Sequence, residues 1–125
     1  MATNSDKPLQ IIIWVLKIGV FGVFFGHGIY AIQVHQSWIP FLEFTGFSKE
    51  TAIKIMPYIG GLDILIAISV LIKPLRIVLI WAVFWAFLTA LIRPIAGGSV
   101  IDFIERSGNW ATPLALYLLL KWKNK

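Results

Sequence analysis

Between Ile11 and Val34 the chain reads "IIIWVLKIGVFGVFFGHGIYAIQV", with Lys17 as its one fully charged residue. Wound as a helix rising 1.5 Å per residue, this run spans the roughly 30 Å of a bilayer's hydrocarbon. A lipid-spanning segment must satisfy its backbone hydrogen bonds internally, so the run is restricted to a helix. The rest of the chain agrees with a lipid setting. Of the 125 residues, 58% are hydrophobic and only 14% charged, too few charges to cover a water-soluble domain of this size. The expected class is an all-α membrane protein forming one transmembrane domain over residues 1–125.

Four apolar segments are legible, at about residues 11–34, 57–72, 76–92 and 110–122. The second opens at Pro57, a residue suited to a first helical turn. The third carries Thr89 as its polar member, and the fourth is short for a span, needing thinning or snorkelling lysines. "KPLR" (Lys73–Arg76) is a tight turn, so segments two and three should form an antiparallel hairpin. Two long loops remain, 35–56 and 93–109. Trp38, Phe41, Phe44 and Phe47 give the first the character of an interfacial segment. In the second, Ser99 is a candidate N-cap for a short helix ending at Ser107-Gly108, with Val100, Phe103 and Ile104 on its apolar face.

Charge then orients the bundle. With four spans, the termini and the "KPLR" turn share one side, which gathers Lys7, Lys17, Lys73, Arg76, Lys121, Lys123 and Lys125. The loop side holds Lys49, Lys54, Arg93 and Arg106 against Glu43, Glu50, Asp102 and Glu105. Positive residues collect on the cytoplasmic side, so both termini are expected there, with the long loops outside. The polar "MATNSDKPLQ" start lacks the pattern of a cleaved signal, and the first segment is expected to stay as an anchor.

Several chemistries are excluded by residue type. The chain has no cysteine, which removes disulfides, thiolate metal sites, cysteine nucleophiles and covalent haem attachment. The net charge of +5 does not fall on a basic stripe with interleaved aromatics, so no nucleic-acid partner is expected. No serine nucleophile constellation or phosphate loop is present. His27 and Asp63 are too few ligands for a metal without the carboxylates of the loops. His27 and His35 lie on one segment, so they cannot approach a haem from opposite faces within one chain. A homodimer offering one His27 from each copy is the variant left open.

Three ionisable residues remain at membrane depth. His27 is about seven residues from the outer end of segment one, roughly 10 Å deep, and Asp63 six residues after Pro57, roughly 9 Å deep. Arg93 closes segment three on the same side, with Tyr30 and Gln33 just above His27. A charge in hydrocarbon costs at least about 2.5–3.5 kcal/mol, and pairing is the usual remedy. An Asp63–Arg93 ion pair, with His27 or Tyr30 as hydrogen-bonding partner, is therefore expected. It reads either as a clamp between helices or as a substrate and proton site. At 100° per residue Gly19, Gly22, Gly26 and Gln33 fall within about 60° of one another, and Gly22 and Gly26 form a small-xxx-small pair. This stripe predicts the helix interface, with His27 beside it and His35 in the interfacial loop. The six tryptophans read mainly as belt residues, Trp38 and Trp110 outside and Trp14 and Trp122 inside, while Trp81 and Trp85 share a face that could line a groove.

Four spans, a long aromatic first outer loop and "TALIRPIAGGSVIDFIERSGNWATPLAL" (Thr89–Leu116) resemble the DoxX/DoxD-like small membrane proteins. The arginine closing the third helix, followed by "ER.GN", a proline and an apolar helix, is the most specific part, and "GHGIYAI" adds to it. Where the family pattern has an arginine early in the first helix, this chain has Lys17. The resemblance implies a four-helix bundle in a bacterial cytoplasmic membrane, linking oxidation of a small anionic sulfur donor such as thiosulfate to membrane quinone. It implies His27, Asp63 and Arg93 in the chemistry, with Tyr30, Gln33, Glu105, Arg106 and Asn109 around the substrate. Quinone is the implied cofactor, none being covalently bound. Two other classes compete: a non-catalytic subunit of a larger membrane complex or homo-oligomer, and a small proton-coupled exporter, in which Asp63 would carry the proton.

Overall fold

The computed structural model describes residues 6–123, and Lys125, counted above among the cytoplasmic charges, lies outside them. Every regular element is helical. The order is α1 (Asp6–Ile32), a 3-10 turn (Gln36–Trp38), α2 (Ile39–Phe44), α3 (Lys49–Ile72), α4 (Arg76–Ile95), α5 (Val100–Glu105) and α6 (Ser107–Lys123). Three helices are long and apolar enough to cross a membrane: Lys7–Ile32, Lys49–Ile72 and Arg76–Ile95. This is an all-helical membrane protein. α6, at 17 residues, is not among the three, yet it packs along α1 and α4 and buries Pro113 and Leu116.

The second long helix begins two turns earlier than expected, and this moves Asp63. Ser48 is the N-cap: its Oγ accepts from Thr51 N at 3.2 Å. That satisfies one of the amide donors a helix start leaves free. Pro57 is accommodated inside the helix rather than opening it. Loop 35–56 is accordingly mostly helical, and Asp63 lies about 21 Å from the helix start rather than roughly 9 Å. Ser99 caps α5 as expected, accepting from Ile101 N at 3.1 Å. The chain then goes directly into α6 at Ser107, so Gly108 is a helical residue and not a terminator. α4 likewise continues past Arg93, through Pro94, to Ile95.

α1 meets α3 most extensively, on a face set by Val20, Phe24, Gly28 and Ala31. At the crossing, a Cβ on Gly28 would stand 2.8 Å from the Gly60 carbonyl oxygen and 2.6 Å from Ile64 Cγ1. A Cβ on Gly60 would stand 2.5 Å from the Gly28 oxygen. Gly22 and Gly26, the expected interface pair, have nothing within 4 Å of a built Cβ. The small-xxx-small spacing marks a face that permits approach, and the approach occurs instead where a glycine on the partner helix answers it. Gly19 does face a neighbour, Thr112 of α6.

α4 leans on α6 rather than on α3. Arg76 Nε donates to Tyr117 Oη at 3.1 Å, fixing the start of α4 to α6. α3 and α4 share one core near their connecting turn, through Ile66, Ala67 and Val70 on one side and Leu79, Ala82 and Ala86 on the other. Beyond it they separate, so the expected hairpin is antiparallel but splayed. Lys17 folds back over the Trp14 ring, 4.5 Å from its centroid, and so snorkels toward the helix start.

The Gly28–Gly60 crossing gives a direct test. Gly60→Ala is expected to destabilise the bundle by about 1–3 kcal/mol, the usual cost of overpacking. Gly22→Ala should shift stability by less than about 0.5 kcal/mol, as an open-surface change. Reversible unfolding of the purified protein in mixed micelles measures both, and equal effects would place the contact elsewhere.

Candidate functional site

The gap between the splayed halves of α3 and α4 encloses a cavity of about 290 Å³. α1 contributes His27 and Ala31. α3 contributes Met56, Ile59 and Asp63, and α4 the stretch from Trp85 to Ile95, including Thr89 and Arg93. The 3-10 turn and α2 form a roof from Trp38, Phe41 and Leu42, with Thr45 just beyond. The wall is mostly apolar, and its polar side chains are the three ionisable residues singled out in the sequence, with Thr89, Thr45 and the Trp85 and Trp38 indoles.

Asp63 is 3% exposed and Arg93 8%. They do not form the expected ion pair: Asp63 Oδ1 and Arg93 Nε are both buried without a hydrogen-bond partner. The shifted start of α3 explains this. The Asp63 carboxyl takes a hydrogen bond from the Trp85 indole, and Trp85 precedes Arg93 on α4 by two turns, roughly 12 Å. Arg93 has other neighbours: it is within electrostatic range of Asp102 and Glu105, and its guanidinium lies over the Phe41 ring, 4.8 Å from the centroid. Such a contact contributes about 2 kcal/mol when desolvated. Thr89 is self-satisfied, its Oγ1 donating to the Ala86 carbonyl at 3.0 Å.

His27 borders the α1–α3 crossing and meets the edge of the Trp38 indole, ring centroids 5.5 Å apart. The opposite neighbour of that indole is His35, stacked at 5.0 Å and 15°. Ser37 Oγ holds His35 Nδ1 at 2.7 Å. The two histidines are thus joined through Trp38, a link that helix periodicity alone does not carry. Val34 makes it possible. It ends α1 in the left-handed region, φ 54°, and His35 N and Val34 N donate to the Tyr30 and Ala31 carbonyls. This is a Schellman ending whose left-handed position usually holds glycine, and a β-branched residue there is strained by about 1–2 kcal/mol.

The remaining candidates are not in the cavity wall. Tyr30 is 51% exposed and touches the His35 and Trp38 rings from outside. Gln33 and Glu105 are exposed, and Asn109 is half-buried in the first turn of α6. Arg106 is half-buried, its Nε unpartnered, within electrostatic range of His27 and Arg93. Trp110, expected in an outer belt, packs edge-on against Phe87 with its indole N–H buried and unpartnered. The roof residues Trp38 and Phe41, and Trp85 on α4, are the site members that aromatic content alone assigns to interface or groove. No group of three or more metal-ligating side chains occurs among the described residues.

No family model, curated protein or solved structure matches the chain. What the fold and site define is a class: an all-helical membrane protein with a mostly apolar cavity between α3 and α4 whose wall carries an aspartate, an arginine and a histidine.

Because the acid and the arginine do not pair with each other, removing one does not strand the other. Asp63→Asn is expected to leave unfolding stability unchanged or raise it by up to about 1 kcal/mol, whereas breaking a buried ion-pair clamp costs about 3–5 kcal/mol. Unfolding of the variant in mixed micelles separates the two, and a loss on the larger scale would restore the clamp.

Proposed function

We propose that the chain is a DoxX/DoxD-like redox subunit that binds the head of a membrane quinone in the cavity between α3 and α4 and acts with a small anionic donor, such as a sulfur anion, from the outer side. The observation that carries this reading is the pairing of an apolar cavity with buried, unpartnered Arg93 Nε and Asp63 Oδ1. Arg93 Nε–H can donate to a quinone carbonyl, so the residues fit the group. A bound quinone supplies two-electron chemistry that takes up two protons. Asp63 and His27 stand on the cavity wall where they can hold and pass protons, and Arg106 adds positive charge that attracts an anion. The cavity volume is near the lower end of small-molecule sites, which suits a ring with its tail outside.

The same reading takes α6 as a fourth span, with both termini in the cytoplasm of a bacterial cell. The basic residues at the "KPLR" end support it, as do Lys121 and Lys123 in the last turn of α6, which can snorkel to offset its length. A fluorescent-protein fusion after Lys123 should fluoresce and a periplasmic phosphatase fusion there should be inactive. The opposite pattern would reverse the topology.

Gently purified protein should release quinone on solvent extraction, identified by mass spectrometry. Arg93→Ala should weaken quinone binding about 10- to 100-fold, the loss of one hydrogen bond from a charged group. It should abolish donor-dependent quinone reduction while the protein remains folded. Unchanged reduction would overturn the assignment. A second reading, a non-catalytic subunit of a larger complex, draws on the open Gly22/Gly26 face flanked by exposed Ile18, Phe25 and Ile29. Gly22→Leu would then release a stoichiometric partner and leave quinone content unchanged.

A further inference from the structure

We infer that the cavity is entered from the bilayer, through the seam between α3 and α4, and is shut against water at the loop end by residues 36–45, with Phe41 on Arg93 as the latch. This assigns the ligand a class, a membrane-dissolved molecule with a hydrogen-bond-accepting head, and rests on the cavity's shape rather than on quinone chemistry.

The two mouths of the cavity differ in what covers them. On the lateral side, Leu88 and Ile95 line the cavity and are themselves 37% and 53% exposed. They lie on the same helix face as exposed Trp81 and Phe84, two turns of apolar surface that a bilayer would wet. Across the seam, exposed Tyr58 and Leu62 flank cavity residue Ile59 on α3. These flanks carry no charge, and the two helices do not close the opening because α4 is held by α6 and α3 by α1. A chain-bearing ligand can therefore leave its tail among lipids while its head reaches Arg93.

At the loop end the cover is continuous. Trp38 is packed between His27 and His35, and Ile39 is buried with Ala52 and Met56 of α3. Val34, Trp38 and Leu42 pack around the same cluster. This anchors the roof to α1 and α3. Its tie to α4 is the Phe41 ring over the Arg93 guanidinium, 4.8 Å away. The segment begins just after Val34 and ends at Gly46, φ 54° and φ 109°, so each boundary is a left-handed residue at which the chain direction turns. Removing the Phe41 ring would detach the roof from α4 without touching its anchor on α3. Arg93, 8% exposed beneath it, would then meet water.

The chain lacks cysteine, so a single introduced thiol reports on access. Thr89→Cys places it in the cavity and Glu50→Cys at an exposed loop-end position. Each variant is reconstituted in phospholipid vesicles and treated with a membrane-impermeant sulfonated maleimide, present on both sides, or with a lipid-soluble pyrene maleimide. The impermeant reagent should modify Thr89→Cys about tenfold or more slowly than Glu50→Cys, thiol reactivity following access, while the lipid-soluble reagent modifies both readily. Adding Phe41→Ala should raise the impermeant rate severalfold and leave the lipid-soluble rate unchanged. Phe41→Leu, which keeps apolar bulk without the π face, should fall between and guards against a fold lost to truncation. Fast impermeant labelling of Thr89→Cys, failure of the lipid-soluble reagent, or indifference to both Phe41 variants would each overturn the inference. Absence of bound quinone would not, since the labelling reads the seam and the roof alone.

Discussion

The contact on which the rest of the structure depends is the backbone approach of Gly28 to Gly60. Lipid tails are as apolar as leucine, so helices in a bilayer gain from close van der Waals contact rather than from expelling water. Where the Cβ of each glycine would collide with the opposing carbonyl, the helices reach a separation that larger residues forbid. α1 is thereby committed to α3, and its other flank receives α6. α4, attached to α3 by only a short turn, packs on α6 and parts from α3 beyond their shared core. The cavity follows from that division of partners and not from any dedicated pocket-forming loop.

Much of this is legible in the sequence, for reasons that differ by element. Long apolar runs answer to one overriding requirement, that backbone polar groups in lipid be hydrogen-bonded within the segment, so the three long helices can be read directly. Their ends are less legible where capping competes with composition. Ser48 capping from Thr51 N outweighs Pro57 as a start signal, because a proline mid-helix in a membrane loses one bond that its surroundings can absorb. The two-turn shift of that one boundary displaces Asp63 and removes the ion pair that composition suggests. The glycine stripe fails differently. Spacing on a single helix cannot say which glycine has an answering partner, and Gly60 supplies that only in three dimensions.

The same distinction runs through the site. His27, Asp63 and Arg93 follow from the cost of placing ionisable groups in hydrocarbon, and all three line one cavity. Tyr30, Gln33, Glu105 and Asn109 join them only by nearness along the chain or by family resemblance, and they stand outside the wall. Trp38 and Phe41 are the reverse case. Aromatic residues in an interfacial loop carry the same composition whether they float at the headgroups or fold back as a roof. Only the Val34 reversal, an unusual backbone for a β-branched residue, turns this loop over the helix ends and brings Trp38 between the two histidines.

A buried charge that serves packing alone is normally matched by an opposite charge or a full set of hydrogen bonds, and replacing such an arrangement by apolar side chains is often stabilising. Arg93 has a ring on one side and an unpartnered Nε, and Asp63 an unpartnered oxygen at an apolar cavity. Phe41 and the Trp85 indole satisfy each group only in part. An unpartnered donor atom on α4 and an unpartnered acceptor atom on α3 are complementary to a molecule that brings its own polar atoms into an otherwise oily space. With the seam open to the bilayer and the roof turned to water, as inferred above, the energetically consistent occupant arrives through lipid. The unpartnered Arg93 Nε and Asp63 Oδ1 are therefore what supports the proposed ligand role over a purely structural one.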